Sequence, residues 1–297
     1  MSISRNNFIN WSLFLALSFI WGSSFILMKE GLKALDAYQV AALRISSAGL
    51  VLLPVAIKYI KAIPRNKMGL IILSGLLGSF IPAFLYCIAE TKIDSSLAAF
   101  LNALTPISTI IIGVLFFKSK LPLQKVVGVL LGLLGMGILL MGEGGVNLSN
   151  LRFSSLVLIA TVCYSLNANI VNRYLKEVGS TKIAALALSG LMIPCLIILW
   201  ITGFFNLPLQ EKNVLSSIGA GIILGIAGTA FASILFYQLL KRAGIIFSSL
   251  VTYGIPFTAL MWGIIAGENI TVIQIGGLAI ILFAVYISNK EKKSTTQ

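Results

Sequence analysis

The chain has 297 residues, of which 58% are hydrophobic and 10% are charged, and its mean hydropathy is +1.00. About a quarter of the residues of an ordinary soluble domain are charged, and a chain of this length has no core large enough to bury so many apolar side chains. The composition therefore excludes a water-soluble fold, while the net charge of +13 needs its own explanation.

Ten apolar runs follow one another along the chain, each close to the ~17–25 residues that cross the hydrocarbon layer of a bilayer. They cover residues 8–28, 38–60, 68–89, 97–117, 124–141, 153–172, 182–201, 216–240, 248–266 and 272–288. The connecting loops are too short to form a soluble domain. We therefore predict an all-α integral membrane protein with ten transmembrane helices, of which 124–141 and 272–288 are the shortest.

The positive charges are unevenly distributed over the loops, and this distribution predicts the orientation. If the N-terminus lies in the cytoplasm, sixteen Lys and Arg residues fall on the cytoplasmic side and five fall outside. Because positive loops remain in the cytoplasm, we expect a multi-pass protein of the cell inner membrane with both termini cytoplasmic. The basic residues show no nucleic-acid-binding pattern, so their expected partners are membrane lipids and not nucleic acid.

A recurring spacing of 150 residues indicates two copies of one unit. The pairs are Gly75 with Gly225, Gly78 with Gly228, Pro106 with Pro256, Gly113 with Gly263 and Gln124 with Gln274. We predict one repeat over 8–141 (helices 1–5), a second over 153–288 (helices 6–10) and a short polar cytoplasmic tail over 289–297.

Each predicted repeat has five spans, an odd number, so the second repeat must be inverted relative to the first. This inversion explains why Lys118 in the first repeat corresponds to Glu268 in the second, since the two positions would lie on opposite sides of the membrane. Inverted repeats that enclose a central cavity are typical of secondary transporters.

Polar residues in the fourth and ninth spans are candidates to line that cavity, because polar side chains are costly in lipid. The fourth span carries them on one helical stripe: Asn102, Thr105, Pro106, Thr109 and Gly113. The ninth span carries a corresponding set: Ser249, Thr252, Tyr253, Pro256 and Gly263. The prolines predict broken helices, which mark binding sites in transporters. The alternative is close helix packing with hydroxyls bonded to their own backbone.

The other inward-facing candidates lie on four further spans. The first and sixth spans contribute Trp21, Ser24, Tyr164, Asn167 and Asn169; the third and eighth contribute Tyr86, Thr229, Ser233 and Tyr237. Aromatic rings beside a pore can stack on planar or cationic solutes, whereas Trp and Tyr also gather at membrane interfaces. For the aromatic residues, both stacking on a solute and a position at the membrane interface remain open. Asn167 and Asn169 are two residues apart on a helix and therefore cannot face the same way.

Arg44 is the one charged residue within the body of a predicted span. Its planar guanidinium can bind a carboxylate of a substrate. Alternatively it forms a structural ion pair, a brace, with one of the carboxylates predicted on the same outer side: Glu30, Asp36, Glu90 or Asp94. The sequence favours this brace, and we keep substrate binding as the second hypothesis.

The residues that are missing limit the mechanism. The chain has no histidine, so neither a Ser–His catalytic pair nor a zinc-binding H-E-x-x-H motif is possible. We predict no enzyme activity, no metal and no cofactor. Carboxylates lie only at span ends, which leaves both facilitated export and proton antiport open.

Several of these motifs resemble the EamA-type carriers of the drug/metabolite transporter superfamily. Trp21-Gly22-Ser23-Ser24-Phe25 is similar to the opening of the EamA repeat, and Arg44 to an arginine common in its second span. Residues 95–106 resemble the family's fourth span with its proline, and Gly267-Glu268 its glycine–glutamate pair. Two positions depart from the pattern: Lys118 stands where the first repeat often has glutamate, and Tyr164-Ser165 replaces Trp-Gly.

The resemblance implies ten helices in two inverted EamA repeats around a central cavity, with export of amino acids or related metabolites by alternating access. A multidrug exporter or a lipid-linked-sugar flippase of the same superfamily is the alternative. The oligomeric state, monomer or homodimer, depends on the small-residue face of the fifth span, Gly128, Gly132 and Gly135, which serves either internal packing or a dimer contact.

Overall fold

The structure is a computed structural model that describes residues 2–119, 122–142, 151–265 and 271–289, and within these ranges the regular structure is helical. The first half contains α1 (Ser2–Gly31), α2 (Ala37–Tyr59), α3 (Arg65–Gly75), α4 (Ile81–Ala89), α5 (Ser95–Asn102), α6 (Thr105–Phe117) and α7 (Leu123–Gly142). The second half contains α8 (Leu151–Tyr174), α9 (Ser180–Ile201), α10 (Lys212–Gly225), α11 (Ala232–Ala243), α12 (Ile245–Ser249), α13 (Val251–Ile265) and α14 (Val272–Asn289).

These helices form ten membrane-spanning units, as the sequence predicts. Eight helical stretches in the described residues are long and apolar enough to cross a membrane, and two shorter apolar helices, Leu123–Leu139 and Val272–Ser288, complete the set. Their outer surfaces expose large apolar side chains such as Phe116, Ile193 and Trp200. Such surfaces are stable in lipid and unfavourable in water, so the all-α membrane fold is confirmed.

The third and eighth spans share an irregularity that reveals the repeat in the backbone. A π-helical segment, Leu76–Phe80, joins α3 to α4, and a second, Ile226–Phe231, joins α10 to α11. The two segments begin 150 residues apart, at the spacing of the paired glycines. A π-helical turn widens the helix by one residue and is frequent at functional sites.

The two repeats are inverted and packed into each other. α1 of the first repeat packs on α10, α11 and α13 of the second, while α8 of the second packs on α4, α5 and α6 of the first. A Cβ on Gly75 would lie 2.8 Å from Ala187 Cβ of α9, and one on Gly225 would overlap Ser47 of α2. The corresponding glycines therefore make corresponding close approaches to the opposite repeat.

The fourth and ninth spans are both broken, but not at corresponding positions. The first break falls at Ala103 and Leu104, so Pro106 stands in the first turn of α6, where its missing N–H leaves no partner unsatisfied. The second break falls at Leu250, and Pro256 lies inside α13. The expectation that both prolines break their helices is therefore wrong for Pro256.

The small-residue face of α7 is used within the protein. A Cβ on Gly128 would lie 2.9 Å from Ser288 Cβ, and one on Gly135 would lie 2.9 Å from the Gly277 carbonyl oxygen, both on α14. At Gly132 the neighbour is the ring of Tyr253 on α13. The glycines allow α7 to approach α13 and α14 closely, so internal packing explains this face.

We expect Gly132→Ala to destabilise the protein and Gly137→Ala to leave it intact. A Cβ at Gly132 would overlap the Tyr253 ring, which is fully buried and held by its hydroxyl bond to the Val129 carbonyl oxygen (2.8 Å). Overpacking of this kind costs about 1–3 kcal/mol. Gly137 is on the same helix and has nothing within 4 Å of its Cβ position. Thermal unfolding in detergent would compare the two variants, and equal midpoints would contradict the expectation.

Two sequence predictions concern residues beyond the described ranges. Lys118 ends α6 with a left-handed backbone (φ 51°), but Glu268 lies outside the described residues, as does Gly267. The placement of Lys118 and Glu268 on opposite sides of the membrane therefore stays a prediction. Of the predicted tail 289–297, Asn289 ends α14 and the remainder lies outside the described ranges.

Candidate functional site

A central cavity lies between the two repeats, and its empty space together with the open solvent at its mouth is about 960 Å³. Eight of the eleven predicted site residues line it: Trp21, Ser24, Arg44, Asn102, Thr105, Tyr164, Tyr237 and Thr252. Six other residues that the sequence placed near the pore also line it: Tyr86, Thr109, Asn167, Thr229, Ser233 and Ser249. Both repeats therefore contribute to one polar and aromatic wall.

Three predicted site residues are not among those that line the cavity: Pro106, Tyr253 and Pro256. Tyr253 is fully buried against α7, where its hydroxyl donates to the Val129 carbonyl oxygen. The inward-facing stripe of the ninth span runs instead through Ser248, Ser249, Thr252 and Ile255. These positions share one helix face, whereas Tyr253 follows Thr252 by one residue, about 100° round the helix, and falls outside that face.

The two π-helical segments both contribute to the cavity wall, and each lies close to a neighbouring helix. A Cβ on Gly78 would overlap the Asn167 carboxamide of α8, and one on Gly228 would lie 2.8 Å from the Ser24 Oγ of α1. The Trp21 indole N–H donates to the Gly228 carbonyl oxygen at 3.2 Å. Glycine at both positions leaves room for polar side chains of α1 and α8 at the cavity wall.

At the broken spans the hydroxyls line the cavity and also satisfy the backbone. Thr105 Oγ1 donates to the Asn102 carbonyl oxygen at 2.6 Å, and Thr252 Oγ1 donates to the Ser249 carbonyl oxygen at 3.0 Å. These residues therefore line the cavity and also bond to their own backbone, the two roles that the sequence analysis offered as alternatives. The interrupted backbone is stabilised locally, which allows irregular structure at membrane depth beside a cavity.

The two asparagines of α8 have different positions. Asn167 lines the cavity, with its Nδ2 3.5 Å from the Tyr237 hydroxyl. Asn169 instead donates to the Ser165 and Thr109 carbonyl oxygens, at 2.9 Å and 3.3 Å. Asn169 therefore has a structural position between α8 and α6, as expected for residues two positions apart.

Arg44 faces the cavity and does not brace a carboxylate. Its Nε donates to Thr229 Oγ1 at 2.6 Å, and within the described residues the structure shows no salt bridge to it. The four proposed acidic partners are placed elsewhere. Glu30 pairs with Lys33 at 2.5 Å, Asp36 caps the N-terminus of α2, Glu90 accepts a hydrogen bond from Ser95, and Asp94 is exposed. The brace hypothesis is therefore wrong for these residues.

Glu90 is a feature that the sequence did not single out as buried. It follows α4 at its end and is 7% exposed. Its Oε2 accepts from Ser95 Oγ at 3.1 Å, while its Oε1 has no hydrogen-bond partner in the described part of the chain. Burial raises the pKa of this carboxyl to about 8, although the Ser95 hydrogen bond and the nearby Lys29 act in the opposite direction. Glu90 is therefore protonated over much of the neutral range.

The walls also include apolar residues that no polar pattern could have identified: Phe25, Met28, Phe236 and Ile255. Gly78 and Gly228 were available from the 150-residue spacing, but their place in the wall depends on the π-helical turns. Groups of three or more His, Cys, Asp or Glu side chains that could hold a metal are absent from the described residues. The wall chemistry is thus hydroxyl, carboxamide, aromatic and one guanidinium.

Comparison with known proteins identifies one family and several relatives. The profile of the EamA-like transporter family matches residues 10–141 and again residues 152–290. An uncharacterized transporter of Archaeoglobus fulgidus is 24% identical over 90% of this chain and 94% of its own length. An S-adenosylmethionine/S-adenosylhomocysteine transporter of Chlamydia muridarum is 26% identical over 85% of this chain and 82% of its own length.

Two further similarities concern a bacterial transporter and the fold. The uncharacterized inner membrane transporter YedA of Escherichia coli K12 is 25% identical over 92% of this chain and 88% of its own length. A solved crystal structure superposes with a TM-score of 0.70 at 16% identity, covering 96% of this chain and 97% of the other. At that identity the superposition supports the fold alone.

Proposed function

Because this chain belongs to the EamA-like transporter family, we propose that it exports amino acids or related small metabolites across the cell inner membrane by alternating access. The protein is a multi-pass membrane transporter, and its named relatives are transporters and not enzymes. The export direction, the inner membrane and the cytoplasmic termini are parts of the proposal. The excess of Lys and Arg in alternate loops supports this orientation.

The observation that carries the proposal is a single cavity whose wall comes from both inverted repeats. Its lining combines aromatic side chains with a few polar groups, as small-molecule sites typically do. The broken spans and the π-helical segments lie at this cavity, so the irregular backbone is placed where two repeats would rock about a bound solute. We propose residues 8–141 and 153–288 as the two units that move.

The cavity chemistry favours an amino-acid-like solute over a cationic drug. Of the described residues that line it, Arg44 alone carries a full charge, and an unpaired positive charge repels cationic drugs. The relative named as an S-adenosylmethionine transporter handles a molecule with an amino-acid group. A multidrug exporter is the second candidate, and the aromatic side chains of the wall are the feature that favours it.

We expect cells that express the protein to tolerate toxic amino acids and analogues better than cells without it, and Ser233→Trp to abolish that tolerance. Ser233 lines the cavity, so an indole there would occupy the space of the solute. Phe231→Trp is a matched control, because Phe231 is on the same span with a side chain that is 53% exposed on the protein surface.

The solute found by this screen would then be tested in everted membrane vesicles with and without a pH gradient. Uptake into vesicles that is lost only in Ser233→Trp would support export through the cavity. Equal transport by both Trp variants, with equal thermal stability, would contradict the proposed route. A spectrum of tolerance limited to cationic drugs would replace the metabolite proposal by the multidrug candidate.

A further inference from the structure

The guanidinium of Arg44 is positioned but not neutralised. Its Nε is held by Thr229 Oγ1 at 2.6 Å, and the described residues provide no further hydrogen bond or ion pair to its two terminal nitrogens. A charge in a low-dielectric setting is costly without an opposite charge. The one hydrogen bond runs from Nε to a neutral hydroxyl and fixes the orientation of the side chain. The two terminal nitrogens remain available to bind both oxygens of a carboxylate.

Two further polar atoms at the cavity wall lack partners. The Tyr86 hydroxyl belongs to a side chain that is 5% exposed, and Asn167 Oδ1 to one that is 3% exposed; among the described residues neither atom has a hydrogen-bond partner. Leaving a buried polar atom unpaired is unfavourable, so such atoms require an explanation. Both residues line the cavity, where a bound solute would satisfy them.

These unpartnered groups line the same cavity. The ring centroids of Tyr86 and Tyr164 are 6.2 Å apart, and Arg44 lines the cavity together with both tyrosines. Asn167 is one turn beyond Tyr164 on α8, so the two side chains lie on the same helix face about 4.5 Å apart along the axis. One cavity wall thus presents a cation, a hydroxyl and a carboxamide oxygen acceptor.

The remaining wall is apolar and aromatic. Trp21 packs against Phe236 with ring centroids 5.5 Å apart, and Phe25 packs against Tyr86 at 6.4 Å. Aromatic side chains provide large contact areas with preferred stacking geometries. A solute that fits this wall has an apolar or aromatic body next to its charged end.

We infer that the cavity selects solutes with a carboxylate attached to an apolar or aromatic body, with the carboxylate bound by Arg44 and Tyr86. A hydrogen-bond donor near the carboxylate, such as an α-ammonium group, binds Asn167 Oδ1. This inference rests on the proposed function and specifies the substrate class of the same cavity. Arg44 and Asn167 are binding residues, and Thr229 is a positioning residue that orients the guanidinium.

The test uses four matched probes with the purified full-length protein in detergent: phenylalanine, phenylalaninamide, 3-phenylpropionate and phenethylamine. Ligands that bind the folded state raise the unfolding midpoint according to their affinity. Loss of a hydrogen bond to a charged group weakens binding by roughly 10–100-fold. We expect phenylalanine to bind 10–100-fold more tightly than phenylalaninamide, and phenethylamine not to bind.

Variants then separate binding from positioning. In Arg44→Gln the affinities for phenylalanine and phenylalaninamide should become equal. In Asn167→Leu the affinities for phenylalanine and 3-phenylpropionate should become equal, while ligands without a carboxylate should still bind more weakly. Thr229→Val should weaken carboxylate binding by less than Arg44→Gln does, because the charge remains.

The outcomes distinguish the inference from the proposed function. If the wild-type protein binds phenethylamine or phenylalaninamide as well as phenylalanine, the inference is overturned even where Arg44→Gln does not fold. If a neutral metabolite without a carboxylate is exported through the cavity and Ser233→Trp blocks it, the proposed export stands without the carboxylate selection. If the carboxylate probes bind but no solute crosses the vesicle membrane, the binding class stands and the transport proposal falls.

Discussion

Replacing Gly225 with alanine is expected to destabilise the protein more than Gly132→Ala does. A Cβ at position 225 would overlap both Ser47 Oγ and the Arg44 carbonyl oxygen of α2. A carbonyl oxygen in the middle of a helix cannot rotate away as a side chain can, so α2 and α10 would have to separate. We expect a cost of about 3 kcal/mol or more, at the upper end of overpacking penalties.

The same separation should impair binding, because Gly225 precedes the π-helical segment that holds Thr229. Movement of this segment relative to α2 would lengthen the bond from Arg44 Nε to Thr229 Oγ1, now 2.6 Å. Surviving Gly225→Ala protein is therefore expected to bind carboxylate probes more weakly than the wild type. The unfolding midpoint and the probe affinity would be measured on the same purified sample.

Gly219→Ala is the matched control for this substitution. Gly219 is also on α10, and nothing lies within 4 Å of its Cβ position. Alanine is the better helix former, so this variant should be as stable as the wild type or slightly more stable. Adding Ser47→Gly to Gly225→Ala should restore only part of the stability, because the Arg44 carbonyl oxygen remains. Full recovery in the double variant would show that the backbone contact is not the cause.

The fold was largely predictable because lipid imposes simple requirements on a sequence. Each span must be apolar over its whole length, and positive loops mark one side, so ten spans and two inverted repeats follow from composition and spacing. Gly75 and Gly225 pair in the sequence because both make close approaches to the opposite repeat. The π-helical turns that follow them have no comparable signal, since they depend on packing between helices.

The site was predictable where a polar residue has no other reason to lie within a span. Trp21, Ser24, Asn102, Thr105 and Tyr164 line the cavity on that basis. Tyr253 was misplaced because it lies about 100° round the helix from Thr252, beyond the inward face, and its hydroxyl donates to a backbone carbonyl of α7. Helix periodicity orders the side chains round a helix but does not tell which of them mark the edge of the inward face.

Arg44 and Glu90 show that the sequence did not predict which side chains pair between helices. Glu90 lies at the end of its span and Arg44 lies within the body of another, and their predicted location on one side of the membrane suggested an ion pair between Arg44 and one of four acids. The structure instead directs Arg44 to Thr229 and buries Glu90 beside Ser95. Pairing between side chains on different helices depends on their rotation about the helix axes, which a single sequence does not specify.

The stability of the protein is expected to fall between pH 4.5 and about pH 8, and Glu90 is expected to cause much of this fall. Burial raises the pKa of the folded carboxyl from 4.5 to about 8. In this window the folded protein holds a proton on Glu90 that the unfolded chain has lost, so the free energy of unfolding decreases as the pH rises. Below the window both states are protonated, and above it both are ionised.

The size of the effect follows from the shift, since each pK unit corresponds to ~1.4 kcal/mol, which gives a decrease of a few kcal/mol across the window. Glu90→Gln keeps the shape and the bond from Ser95 without an ionisable group, so its unfolding midpoint should vary much less over this pH range. Asp94→Asn is the matched control at an exposed carboxyl four residues away and should keep the wild-type dependence. A wild-type midpoint that rises with pH across this range would mean that Glu90 is ionised in the folded protein and stabilised by Lys29, whose charge already opposes the effect of burial on its pKa.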